Sequence, residues 1–248
     1  MQNLTISLIT VVYNAQKTIA NCIESVLRQK FNNIQYIVID GGSTDDTLKI
    51  IHSYNKNIQI IVSEPDNGIY DAMNKGIQLA TGEIIGTLNA DDYLADEFVL
   101  ADVAGAFAKN SANVLYGDLD FIDPSGKTVR KWRSGWYKKD MFNWGWMPPH
   151  PTFYCKRELF ELLGSYKLDY GSAADYELML RFIHVNKAEV FYINRVLVKM
   201  FIGGVSNKSI GNRVKALSFD LKAMRNNGIR FPFISLMFKP LRKLMQFF

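Results

Sequence analysis

Two hydrophobic periods alternate along the first 90 residues. Residues 4–12 (LTISLITVV) form a near-continuous β-branched run ending at Tyr13-Asn14, which predicts a buried strand and a turn. Residues 18–29 carry Ile19, Ile23, Val26 and Leu27 at helical spacing. Residues 34–39 (IQYIVI) predict a second strand, stopped by Asp40-Gly41-Gly42. Ser43, with Asp46 three residues on, opens a short helix in capping-box fashion. Residues 58–62 predict a third strand. Residues 68–80 predict a helix with Ile69, Met73, Gly76, Ile77 and Ala80 on one face, closed by Thr81-Gly82. Residues 83–88 predict a fourth strand, running into Asn89-Ala90-Asp91-Asp92.

Strand and helix in alternation, with apolar strands, predict an α/β fold: a Rossmann-like, mixed but mainly parallel sheet flanked by helices. In such sheets ligands sit at the carboxyl ends of the strands. Four polar turns fall there: 13–14, 40–42, 63–66 and 89–92. The second half is less regular. Strands are predicted at 113–116, 119–122 and 127–133, the last two joined by the turn Asp123-Pro124-Ser125-Gly126. A Trp- and Gly-rich loop spans 134–149, an amphipathic helix 172–185, a strand 188–200 and a basic helix 210–226. Residues 235–248 place Met237, Leu241, Leu244, Met245 and Phe248 on one helical face and Lys239, Arg242, Lys243 and Gln246 on the other, with Pro240 expected in the first turn.

Composition narrows the class. The chain of 248 residues, 48% hydrophobic, can bury a full core, and 21% charge is too little for disorder. Cys22 and Cys155 make neither a disulfide framework nor a zinc pair. No apolar run reaches the roughly 20 residues needed to span a bilayer, and no signal-peptide pattern opens the chain. The net charge of +5 is unevenly placed: residues 207–248 hold nine Lys/Arg and one acid, a net +8, which leaves the first 206 residues at −3. The basic balance therefore argues for an anionic membrane surface at the C-terminal tail rather than for nucleic acid, with an oligomer or core contact as the alternative for the tail's apolar face. The division expected is a domain at 1–206, with halves 1–110 and 111–206, and a helical extension at 207–248.

Candidate chemistry clusters at the turns. Asp91 and Asp92, after a buried strand, suit a divalent cation bridging to phosphate oxygens, or else one of them caps the next helix. Asp40 suits a ribose or base, or a plain Asp-Gly turn. Asp66, Asn67, Asp71 and Lys75 are either ligand-binding or a solvated face. Asp175, near a helix start where the dipole favours negative charge, suits a general base or a cap. His150, between prolines, suits a phosphate or acceptor contact, or a structural place. Trp136, Trp144 and Trp146 suit a stacking platform or a hydrophobic cap. Dinucleotide, P-loop, zinc-protease and hydrolase-elbow motifs are absent from the sequence.

Three runs carry a family resemblance: ISLITVVYN at 6–14, IDGGSTD at 39–45 and SEPDNGIYDAMNKG at 63–76. They resemble family 2 glycosyltransferases with the GT-A fold, in the bacterial branch that builds capsule, colanic acid and O-antigen. Leu88 to Asp92 is similar to the family's DxD-type motif. The resemblance implies a nucleotide-sugar donor held by Thr10, Tyr13, Asn14, Asp40, Asp66, Asn67, Lys75, Asn89 and Asp91. It implies Mg²⁺ or Mn²⁺ on Asp91 and Asp92, and Asp175 as the base of an inverting transfer. His150 and Trp146 would face the acceptor, expected to be a polyprenyl-linked sugar, and residues 201–206 would fold over the donor diphosphate. A cytoplasmic enzyme held peripherally on the inner membrane face follows, with an oligomer possible. Two departures stand out: Asn89 opens the DxD-type motif, and Ala174 precedes Asp175 where the family has Glu. They keep a rival in play, a non-catalytic nucleotide-sugar-binding protein. A sugar nucleotidyltransferase ranks lower, because residues 13–16 lack a basic, Gly-rich loop.

Overall fold

In the computed structural model, which describes residues 4–202, 210–244 and 246, β1 (Ile6–Val12) is buried along its whole length. Its alternation separates two cores. Ile9 and Val11 pack with Ala72, Met73 and Ile77 of α3 (Ile69–Leu79). Ile6, Leu8 and Val12 pack with Cys22, Ile23 and Val26 of α1 (Ile19–Leu27). A strand covered on both faces reads as an unbroken apolar run, which is how residues 6–12 read. Gly76 lets α3 close onto the sheet: a Cβ there would stand 2.4 Å from Ile9 Cγ2.

β2 (Ile34–Asp40) and β4 (Ile84–Asn89) flank β1 in parallel, and β3 (Ile60–Ser63) lies parallel outside β2. The sheet continues beyond β4 through β8 (Tyr154–Lys156), β6 (Val114–Ile122), β9 (Val190–Phe201) and β5 (Asp92–Leu94). β8 is antiparallel to both β4 and β6, β9 is parallel to β6, and β5 is antiparallel to β9. β7 (Thr128–Trp132) folds back on β6. The first half is thus the parallel unit that the pattern predicts, and β8 joins it to a mixed second half.

Several elements depart from expectation. The strands predicted at 113–116 and 119–122 are one strand, β6. The interruption at Gly117 is a register shift against β9, where a Cβ would meet Leu197 Cγ at 2.5 Å. α2 (Thr47–Ser53) has no side-chain cap; Ser43 instead serves Asn14 and Asp40. The helix predicted at 172–185 divides into a 3₁₀ segment (Leu168–Ala173), α6 (Ala174–Met179) and a π-helical continuation (Leu180–Val185). It is not amphipathic, since residues 176–183 are all buried. α4 (Val99–Lys109) and α5 (Arg157–Leu163) complete the body.

At the C-terminal side, α7 (Ile210–Asn226) contributes Ala223 and Met224, both fully buried, to the α3-side core. α8 (Pro232–Leu244) starts earlier than predicted, because Pro232 occupies the first helical position, where its missing N–H costs nothing. Pro240 consequently lies inside the helix rather than in its first turn. Met237 and Leu241 are exposed; Met245, Phe248 and the side chain of Leu244 lie outside the described residues. So do most of 201–206 and the expected boundary at 206/207.

Candidate active site

A cleft of about 670 Å³ opens where β1 and β4 end. Its floor is Val11 and Val12, and its walls include Tyr13, Asn14, Asp66, Ile69, Asn89 and Asp91. Asn14, at φ 48°, turns the chain out of β1. Its N–H donates to Ser43 Oγ and its Oδ1 accepts from the Thr44 N–H, both at 2.8 Å. Ala15 N–H donates to Thr47 Oγ1, and Gln16 Oε1 accepts from the Asp46 N–H. The loops after β1 and β2 are therefore cross-braced into one rim, with Tyr13 left 62% exposed at its edge.

Two expected donor contacts do not reach this cleft. Thr10 is fully buried on the α1 side of the sheet, its hydroxyl 3.1 Å from Tyr36 Oη. Thr10 lies two residues before the end of β1, beneath the floor that Val11 and Val12 form. Asp40 is also fully buried and takes the turn role: it accepts from the Ser43 N–H and from the hydroxyls of Ser43 and Ser63. Asp66 does line the cleft and accepts from the Gly68 N–H at 2.8 Å. It lies so close over Gly41 that a Cβ there would fall 2.3 Å from Asp66 Oδ2. Asn67 donates to Asp71 Oδ2 and lies outside the cleft wall. Lys75 braces the preceding turn through Pro65 O (2.9 Å) and Glu64 (2.8 Å), and the Glu64 bond raises its pKa.

The two adjacent carboxylates part company. Asp91 is half-buried on the cleft wall. Asp92 belongs to β5, is 1% exposed, and accepts from Asn89 Nδ2 at 2.9 Å. Burial pushes its carboxyl well above the usual range, the Asp91 charge adds to this, and the Asn89 bond opposes it. Among the described residues no three His, Cys, Asp or Glu side chains gather into a metal cage. One open carboxylate does suit a Mg²⁺-like ion, which keeps waters and takes further oxygens from a bound diphosphate. The donor set present fits Asp91 as the residue that would hold the ion, while Asp92 is turned inward and paired with Asn89.

A second cluster lies across the first turn of α3. Ile69 and Ala72 face the cleft, whereas Tyr70 faces Asp175 at the start of α6. Burial, then the Asp175 charge, raises the Tyr70 pKa. The Tyr70 and Tyr166 rings lie 5.4 Å apart, and Tyr166 Oη is 2.7 Å from His150 Nε2. Burial pushes the His150 imidazole below its usual range, with Asp175 pulling the other way. Asp175 itself is half-buried, and its Oδ1 accepts from the Tyr176 N–H. His150 and Asp175 thus lie at opposite ends of the Tyr166–Tyr70 pair.

Trp146 departs from its expected role as an acceptor platform. It is 3% exposed, donates Nε1–H to Ser134 O at 3.1 Å, and packs edge-on against Phe142 and Tyr116. The left-handed turn at Gly145 (φ 71°) precedes it. Trp136 and Trp144 are the exposed members of the loop.

Sequence reasoning missed Tyr70, Tyr166 and their support. Glu177 is fully buried against Arg181 (3.0 Å) and Lys167 (3.2 Å). Arg181 also donates to the carbonyls of Leu163, Gly164 and Ser165, fixing the segment that delivers Tyr166. The i, i+4 spacing of Glu177 and Arg181 was a legible signal; Tyr166 had none.

Comparison with known proteins agrees with this geometry. The family model for glycosyl transferase family 2 matches residues 7–165. The PGL/p-HBAD biosynthesis glycosyltransferase of Mycobacterium tuberculosis is 32% identical over 207 residues, 81% of this chain and 78% of that protein. Chondroitin synthase of Pasteurella multocida is 25% identical over 212 residues, 84% of this chain and 21% of that longer one. Among solved structures, S. aureus TarS 1-349 in complex with UDP-GlcNAc superposes with a TM-score of 0.73 at 17% identity, covering 98% of this chain and 73% of that one; the match spans 39% of the longer TarS chain. The mannosyltransferase PcManGT from Pyrobaculum calidifontis, in complex with GDP-Man and Mn²⁺, gives 0.69 at 18% identity, covering 96% and 70%. The chain belongs to glycosyl transferase family 2 and is a glycosyltransferase with the GT-A fold.

Proposed function

We propose that the protein is an inverting transferase that moves a sugar from a nucleoside diphosphate donor, a UDP-sugar by preference, to a hydroxyl of a polyprenyl-linked sugar during assembly of a bacterial surface polysaccharide such as capsule or O-antigen. The observation that carries this reading is the juxtaposition across the first turn of α3. A nucleotide-sized cleft bearing Asp91 lies on one side, and the half-buried Asp175 lies on the other. The donors named for TarS and PcManGT support a nucleotide sugar in the cleft.

In this mechanism Tyr13, Asn14 and Asp66 hold the nucleotide end. Mg²⁺ or Mn²⁺ held at Asp91 would neutralise the charge of the departing diphosphate. Asp175 takes the proton of the acceptor hydroxyl at a carboxylate oxygen. The freed oxygen attacks the anomeric carbon from the face opposite the nucleotide, and the bond to the diphosphate breaks. Tyr70, Tyr166 and His150 fix the direction from which the hydroxyl approaches.

The acceptor side also suggests where the protein works. Among the described residues no helix is long and apolar enough to cross a membrane. α8 leaves Phe233 (61%), Met237 (69%) and Leu241 (51%) exposed beside Arg242 and Lys243, the layout of a helix lying on an anionic bilayer. The decisive experiment is Asp175→Asn. Turnover falls about 10²–10⁴-fold while nucleotide affinity stays near wild type; full turnover in that variant would overturn the assignment.

A further inference from the structure

A second cleft, of about 340 Å³, lies between the end of β7, the loop at 145–147 and the last turns of α8. Lys131 and Arg133 enter it from one side, and Lys239, Arg242 and Lys243 from the other. Among the described residues no carboxylate lines it. Two of the five cations are balanced from outside the cleft: Lys239 by Asp220 at 2.8 Å, and Arg133 by Asp120 at 2.7 Å. Arg242 donates Nε–H to Trp144 O, which orients the guanidinium without neutralising it. Lys131 and Lys243 have no ion-pair partner within salt-bridge distance among the described residues. Cations held this close repel one another, and an anion relieves that repulsion.

The place of the cleft says which anion. On its inner side, Lys239 Nζ lies 3.6 Å from the centre of the buried Tyr176 ring, and Lys243 lies near enough to Asp175 for that carboxylate's charge to act on it. On its outer side Trp144 packs edge-on against Phe238 of α8, both partly exposed, and the apolar stripe of α8 continues to solvent. Base, cations and apolar face thus follow one another from inside to outside. A lipid-linked sugar has the same order: hydroxyl, phosphate, hydrocarbon.

We infer that this cleft is the phosphate subsite of the acceptor, holding the phosphate or diphosphate of a lipid-linked sugar between Lys131, Arg242 and Lys243 while the sugar reaches Asp175. The inference rests on the proposed lipid-linked acceptor. A bilayer phospholipid offers the same phosphate chemistry, so the test separates the two sources.

The full chain is tested for co-sedimentation with three kinds of vesicle: phosphatidylcholine alone, phosphatidylcholine with phosphatidylglycerol, and phosphatidylcholine with undecaprenyl diphosphate at matched charge. Wild type is expected to prefer the undecaprenyl diphosphate vesicles. Lys131→Gln with Lys243→Gln is expected to weaken that binding at least about tenfold and to leave UDP affinity unchanged. If the paired change disturbs the docking of α8, seen as a lower Tm, Lys131→Gln alone serves, because Lys131 is an exposed β7 side chain. Equal binding to the two anionic vesicles, or preference unaltered in the variants, overturns the subsite. The underlying reading fails separately: an enzyme that glycosylates only soluble acceptors, yet binds inorganic pyrophosphate in EDTA through Lys131 and Lys243, keeps the anion site and loses the lipid acceptor. An enzyme that uses the lipid acceptor with an unchanged KM in the variants keeps the acceptor and loses the subsite.

Discussion

Asn89 Nδ2 donates to Asp92 Oδ2 at 2.9 Å, and this bond gives two neighbouring aspartates different work. Asp91 stays on the cleft wall, while Asp92 is buried behind Asn89 with its Oδ1 lacking a hydrogen-bond partner. Asp91→Asn is therefore expected to abolish Mn²⁺-dependent nucleotide binding in titration calorimetry with little change in Tm. Asp92→Asn keeps an acceptor for Asn89 and is expected to be nearly neutral in stability. Asp92→Ala leaves the Asn89 amide unpaired and costs about 1–3 kcal/mol. Equal losses of nucleotide binding in Asp91→Asn and Asp92→Asn would show that both carboxylates hold the metal.

The Glu177–Arg181 pair is the support on which Tyr166 depends. Both side chains are buried, and removing one partner strands the other charge. Glu177→Gln is expected to cost about 3–5 kcal/mol in urea unfolding. It should also lower kcat, because the carbonyls of 163–165 lose their fixed donor. A stable Glu177→Gln enzyme with normal kcat would remove Glu177 from the chain of support.

The parallel half of the fold was legible because its strands are covered on both faces, so local pattern and tertiary role coincide. The rest was less so for identifiable reasons. Residues 92–94 are too short to show a period, and Asp92 looks like a cap until β9 arrives beside it. Thr10 and Asp40 sit in the runs that resemble the family, but only their partners, Tyr36 for Thr10 and the serines at 43 and 63 for Asp40, decide that they face inward. The helix at 172–185 reads as amphipathic in isolation; the segment 163–167 covers Glu177 and Arg181 on its polar side, and no local window contains both. Asp66 and Asp91 stand out in the sequence because they follow strand ends, and Asp175 because it falls at a helix start.

His150 gives the enzyme an acid-side weakness. Its folded pKa lies below the ordinary histidine value, so the unfolded chain takes up the proton first. The stability it confers is present above about pH 6.5 and is lost as the pH falls through its folded pKa. His184 shifts in the same direction but is common to both proteins compared. His150→Gln should accordingly flatten the decline in Tm between about pH 7 and pH 5. Parallel Tm curves for the variant and wild type would exclude His150 as the buried neutral group.

Gly171 and Phe219 couple the loop before Asp175 to the C-terminal helices. Gly171 has φ 48° and ψ −125°, which few side chains tolerate, and a Cβ there would stand 2.4 Å from the Phe219 ring. The loop four residues before Asp175 is thus held under α7 by an absent side chain. Gly171→Ala meets two separate penalties, backbone strain of about 1–3 kcal/mol and the clash with Phe219. Phe219→Leu removes only the second. The double variant is therefore expected to recover part of the stability lost in Gly171→Ala, and part of the turnover, because Asp175 returns toward its place beside Tyr70. Full recovery would mean that the backbone at 171 carries no strain. No recovery would mean that α7 does not press on the loop, and that the C-terminal helices leave the position of Asp175 untouched.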